Sequence, residues 1–107
     1  MAAEQIMERM TFILSGDDLH RVHVQRDNEG NIILVIDVHE MKVAEARKVL
    51  NYIIIMYRFP FKLRVVHGYN HGTAIKDMIA EQLDNKRIIS KVVEAYNPGI
   101  TTIQLAY

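Results

Sequence analysis

The sequence predicts an α/β protein, with a mixed sheet of parallel βαβ units and antiparallel edge strands and with helices packed on it. Three observations predict this class. Apolar residues recur at helical spacing over residues 43–57 and 74–83. Short β-branched runs alternate with those segments: NIILVIDVH at 31–39, KLRVVH at 62–67 and IISKVVEAY at 88–96. Turn-forming sequences, DNEGN at 27–31 and NPG at 97–99, sit where further strands must fold back.

The elements follow in order. Residues 2–14 place Ile6, Met10, Ile13 and Leu14 on one helical stripe, and SGDD at 15–18 ends it, with Gly16 suited to a C-terminal cap. LHRVHVQRD at 19–27 alternates as a strand and pairs across DNEGN with 31–39. The nearly continuous apolar run of that second strand makes it central. Val43, Ala46, Leu50, Ile53, Ile54 and Tyr57 share one helical face. No Gly or Pro interrupts residues 41–58, and Pro60 stops the helix. After the 62–67 strand, Thr73 is placed as N-cap of a helix that turns Ile75, Met78, Ile79 and Leu83 inward. Residues 88–96 and ITTIQLAY at 100–107 are the last two strands, joined by the NPG turn. The order is therefore α-β-β-α-β-α-β-β. Segments 32–67 and 62–96 are βαβ units with parallel strands, and hairpin strands form antiparallel edges on either side.

A chain of 107 residues forms one domain with a core of its own. Cysteine is absent, which excludes a disulfide framework and thiol-based zinc or redox chemistry. No apolar run, Ile53–Tyr57 included, is long enough to span a membrane, so no membrane partner is expected. The start, MAAEQIMERM, lacks the basic and apolar regions of a signal peptide, and a cytoplasmic location is expected. The net charge is zero, but residues 1–40 carry three basic and eight acidic side chains, whereas residues 41–107 carry ten basic and five acidic. A basic half of this kind suits a nucleic-acid surface.

The chemistry-bearing residues collect at strand ends. Ligands of open α/β sheets bind beyond the carboxyl ends of parallel strands. Asp37 and His39 lie two apart at one such end and share a face, and His67 ends the neighbouring strand. A carboxylate beside imidazoles fixes a tautomer and supports the imidazolium, which prepares a histidine for proton transfer near neutral pH. The loop HGYNHGT at 67–73 then opens a helix, whose first amides suit an anion.

With these residues in place, IDVHEMKVAEA followed by LRVVHGYNHGTAIKDMI resembles the Smr (small MutS-related) domain family, in particular its short stand-alone bacterial members. The resemblance spans residues 33–105. Residues 1–31, the N-terminal helix and first hairpin strand, therefore stand outside an Smr-like domain over 32–107. It implies a two-layer α/β sandwich like the carboxyl-terminal domain of translation initiation factor 3. It also implies a nucleic-acid partner, DNA or RNA, and in several family members endonucleolytic nicking or cleavage. The family's motif positions match Asp37, His39, His67, Gly68 and Gly72. Three positions depart from the pattern: Glu40 and Asn70 replace glycines, and Lys42 replaces a threonine or serine. Glu40 sets a negative charge beside the expected phosphate site.

The expected catalytic residues are Asp37, His39 and His67, the histidines sharing acid and base roles. Gly68, Tyr69, Asn70, His71, Gly72, Thr73, Arg64 and Lys76 are the expected phosphate or nucleic-acid contacts, with Tyr69 stacking on an unpaired base. Lys86, Arg87 and Lys91 are further cations available to phosphates. A glycine-rich loop is poor metal spacing, so neither metal nor cofactor is expected, and His20 and His23 are assigned to structure or surface. Two alternatives stand beside an endonuclease. One is a catalytically silent nucleic-acid-binding module. The other is a protein-interaction domain, such as a homodimer, that uses the hairpin edge and the N-terminal helix.

Overall fold

A computed structural model describes residues 1–70 and 72–107. The sequence-predicted contact His71 lies outside the described residues. The elements are α1 (Ala3–Met10), a 3₁₀ helix (Gly16–Arg21), β1 (Val22–Arg26), β2 (Ile32–Asp37), α2 (Val43–Met56), β3 (Phe61–Val66), α3 (Ala74–Glu81), β4 (Ile88–Glu94) and β5 (Asn97–Leu105). No helix is long and apolar enough to cross a membrane among the described residues.

The five strands form one mixed sheet in the order β1-β2-β3-β5-β4. Only β2 and β3 pair in parallel, and every other pairing is antiparallel. The period of two in the strands explains the layers. Val22, Leu34, Ile36, Leu63, Val65, Ile103 and Leu105 point to one face, where Ile6 and Met10 of α1, Ala46, Leu50 and Ile53 of α2, and Met78 and Ile79 of α3 pack into a single core. The other face carries His23, Gln25, Lys62, Arg64, Thr102 and Gln104 in register. The helices thus cover one side of the sheet.

Three expectations need correction. First, β5 is not an edge strand. It lies between β3 and β4, so the second βαβ unit has no direct β3–β4 pairing. Burial follows the exchange. Ile100, Thr101, Ile103 and Leu105 are buried in β5, whereas β4 leaves Ile89 and Val92 more than half exposed and places Ser90, Lys91 and Glu94 in its short length. β4 carries the charges of Lys91 and Glu94 and β5 carries none, so β4 suits the edge and β5 the interior.

Second, residues 19–21 are not extended. They belong to the 3₁₀ helix, in which Arg21 Nε donates to Asp18 Oδ1 at 2.9 Å and the Asp18 amide donates to Ser15 O at 3.0 Å. Local side-chain pairing three residues apart outweighed the alternating pattern. Gly16 opens this helix and does not cap α1, which ends on Thr11, with the Ile13 and Leu14 amides donating to Met10 O.

Third, Asn97–Gly99 is not the turn. Ala95 and Tyr96 make it, and Asn97 already pairs with Glu94. Between that pair and the Val93–Thr101 pair, Pro98, Gly99 and Ile100 have no partners in β4. This bulge needs no proline N–H, and it swings β5 toward β3, where Ile100 pairs with Val66.

Polar groups close the opposite end of the sheet. Arg87 donates from Nε to Ala106 O at 3.1 Å, from Nη2 to Tyr57 O and Phe59 O at 2.7 and 3.2 Å, and from Nη1 to Ile54 O. Lys91 Nζ donates to Ala80 O at 3.3 Å. Arg87 and Lys91 therefore serve helix ends and chain crossings, where sequence reading had them available to phosphates. Tyr57, whose hydroxyl donates to Ile6 O at 2.5 Å, ties α1 to the end of α2, and burial pushes its pKa up to about 12.

Candidate nucleic-acid interface

The parallel register sets Asp37 opposite Val66, and the Val38 amide donates to Val66 O at 2.9 Å. Both chains therefore leave the sheet side by side. Asp37 turns its carboxylate onto the segment that follows it. Its Oδ1 accepts the His39 amide at 3.0 Å and also the His39 Nδ1–H. This fixes the tautomer of His39 and leaves Nε2 outward. Arg21 reaches over from the 3₁₀ helix and donates from Nη1 to Asp37 O and His39 O at 3.3 and 3.4 Å.

His39 is favoured as imidazolium. Its pKa is raised chiefly by the hydrogen bond and charge of Asp37, with a smaller contribution from Glu40. The Glu40 carboxylate stands 3.5 Å from His39 Nε2, on a largely exposed side chain that is free to swing away. Glu40 itself has φ 74°, the left-handed region that disfavours a side chain.

His67 lies differently. It is 6% exposed, continues the core-facing side of β3, and has both ring nitrogens engaged. Nδ1–H donates to Gly68 O at 2.9 Å, and Nε2 lies 2.8 Å from Thr101 Oγ1. The amides of His67 and Gly68 both donate to Gly99 O, at 2.9 and 3.0 Å. His67 and the loop after it are thus pinned to the bulge of β5. Gly68, at φ 73°, packs where its missing Cβ would lie 3.6 Å from His39 Cβ. Gly72 is also left-handed, at φ 104°.

Between these segments lies a cleft of about 590 Å³, lined by His39, Glu40, His67, Gly68, Tyr69, Asn70, Gly72 and Ile75 among others. Thr73 is the N-cap residue of α3, but its hydroxyl donates to Asp77 Oδ2 at 2.9 Å and caps no amide. Among the described residues, the first-turn amides of α3 therefore have neither helical acceptors nor a capping side chain. Gly68 was expected to offer an amide to an anion, but that amide is taken by Gly99 O.

Two predicted contacts stand apart from the cleft. Arg64 lies on the open sheet face and donates from Nη2 to Glu94 Oε2 at 3.0 Å; its Nε is 2.8 Å from Oε1 without the alignment of a hydrogen bond. Lys76 sits half-buried in the first turn of α3 and does not line the cleft. Sequence reasoning missed Arg21, Gly99 and Thr101. Arg21 was hidden in an apparent strand, Gly99 in an apparent turn, and Thr101 in an unremarkable strand. No group of three or more His, Asp or Glu is arranged to hold a metal ion among the described residues.

No protein-family model matches the chain, and no curated protein matches it in sequence.

Proposed function

We propose that the chain is an Smr-like nucleic-acid-binding domain that seats a backbone phosphate in the cleft between His39 and the first turn of α3. The observation that carries this reading is the Asp37–His39 pair, which presents a charge-favoured imidazole across a cleft from first-turn helix amides that no described residue claims. The left-handed backbone at Glu40, where the motif has glycine, supports the same assignment.

Phosphodiester cleavage is the second reading, favoured by the same pair. In it, Asp37 orients His39, and His39 delivers or accepts the proton at Nε2. His67 acts as a brace in both readings, because its nitrogens are engaged with Gly68 and Thr101. The exposed apolar edge of β4, with Ile89 and Val92, favours a homodimer or other protein contact as an additional use of the chain.

Titration with inorganic phosphate and then with short oligonucleotides, followed by amide NMR, tests the site. Shifts should appear at Gly72, Ala74 and Ile75 and at His39, while the Gly68 amide should move little. Oligonucleotide affinity should fall steeply with added salt. Shifts confined to the open sheet face, or affinity indifferent to salt, would exclude the proposal. His39→Ala should abolish any cleavage of labelled RNA or DNA.

A further inference from the structure

We infer that the ligand is single-stranded nucleic acid, read by stacking of unpaired bases on two tyrosines, Tyr69 and Tyr96, at the rim of the phosphate cleft. The inference rests on the nucleic-acid reading above and adds to it the state of the strand.

Tyr69 lines the cleft and is 53% exposed, although it follows closely on the buried His67 and the half-buried Gly68. Its ring is held by an unusual neighbour. A Cβ at Gly99 would meet Tyr69 Cδ1 and Gly68 Cα, both at 3.1 Å, so the ring lies close against the Gly99 backbone, where a side chain would crowd it. Tyr69 is thereby seated at one edge and open on the rest.

Tyr96 is fully exposed, at 101%, in the two-residue turn between β4 and β5. A tyrosine with no packing partner at a hairpin tip contributes nothing to the core. The β5 bulge brings this tip to the cleft, because Gly99 O binds the amides of His67 and Gly68. Only Asn97 and Pro98 separate Tyr96 from Gly99, so over three Cα–Cα steps their Cα atoms are at most about 11 Å apart. Two aromatic side chains therefore stand within a few nucleotide steps of the phosphate seat. Both belong to segments locked together by the Gly99 carbonyl.

Stacking needs a base face that is free on at least one side, which a duplex does not offer without unpairing. It is also indifferent to base identity, because every base has a π-face.

The test measures anisotropy of the full chain with labelled oligonucleotides of one length: intact single strands of DNA and of RNA, an abasic strand of equal charge, and a closed duplex hairpin. Intact strands should bind more tightly than the abasic strand. Tyr96→Ala should weaken binding of intact strands roughly five- to 150-fold while leaving the abasic strand unaffected, and Tyr69→Ala should weaken intact strands by more than it weakens the abasic strand. Tyr96→Phe should retain affinity, since the face and not the hydroxyl is used. Tyr96 is outside the core, so its variants keep the fold. Equal binding of intact and abasic strands, or tighter binding of the duplex, would overturn the inference and leave the phosphate site standing. If no oligonucleotide bound at all, the nucleic-acid reading itself would fall, and this inference with it.

Discussion

Where β3 begins and β5 stops, Arg87 spends its guanidinium on the carbonyls of Ile54, Tyr57, Phe59 and Ala106. At the opposite end, Arg21 makes longer bonds to Asp37 O and His39 O and keeps its shortest for Asp18. The first end is saturated: the α2 terminus, the turn into β3 and the last strand meet on one cation. The second end keeps what the first has removed. It has left-handed backbone at Glu40, Gly68 and Gly72, helix amides that no described residue caps, and a half-exposed histidine. An end that only holds the fold closes its hydrogen bonds. An end that receives a ligand leaves some of them to the ligand, at a cost in local stability.

The largest effect should come from the saturated end. Arg87→Met keeps an apolar stem but strands several partly buried carbonyls, and stability should fall by about 3 kcal/mol. The loss is read from the urea midpoint of unfolding. Phosphate affinity at the other end should not change once folded protein is compared with folded protein. A loss in the tenths of a kcal/mol, or a parallel loss of phosphate binding, would break the contrast between the ends.

Much of this contrast is legible in the sequence, because it depends on local pattern. The β-branched runs ending at Asp37 and His67, and the Gly68 and Gly72 positions, are enough to mark the open end. What is not legible depends on partners distant in the chain. Arg87 reads as a surface cation until the carbonyls of α2 and β5 are brought to it. His67 looks identical to His39 as a strand-ending histidine. A difference of one place in the alternation puts it on the core face beside Thr101, a residue thirty-four positions away. The interior place of β5 is only faintly legible: ITTIQL is no more apolar by eye than IISKVV, and the charges of Lys91 and Glu94 alone mark β4 as the edge.

The next effect is smaller and opposite in sign. Glu40→Gly relieves a side chain held at φ 74° and should stabilise the fold by roughly 1 kcal/mol, net of the extra freedom of glycine in the unfolded chain. The same change removes the carboxylate 3.5 Å from His39 Nε2, so phosphate should bind more tightly. Urea unfolding and phosphate titration of one protein read both results. Glu40→Gln separates them, since it removes the charge and keeps the strain. If Glu40→Gly gained affinity but no stability, the turn would not be where this end stores its cost.

The smallest effect on stability belongs to the pair that matters most for the proposed site. His39 has a raised pKa in the folded chain, chiefly through Asp37, against an ordinary value of 6.5. A folded pKa above the unfolded one means that the protonated pair stabilises the fold fully below pH 6.5, and that this contribution is lost as pH rises through the raised value. The His39 side chain is 47% exposed, so solvent screens the pair and the change in urea midpoint should be slight. Phosphate binding should follow the same titration with a larger amplitude, because in the proposed site the imidazolium would face the anion directly. Asp37→Asn keeps an oxygen to accept the His39 amide but deletes the charge, and the His39 ring protons should then titrate back toward 6.5 in an NMR series. The pH at which phosphate affinity halves should move down with them. If the ring titrated unchanged in Asp37→Asn, the carboxylate would be only a turn-former. The open end would then owe its anion affinity to the α3 amides alone.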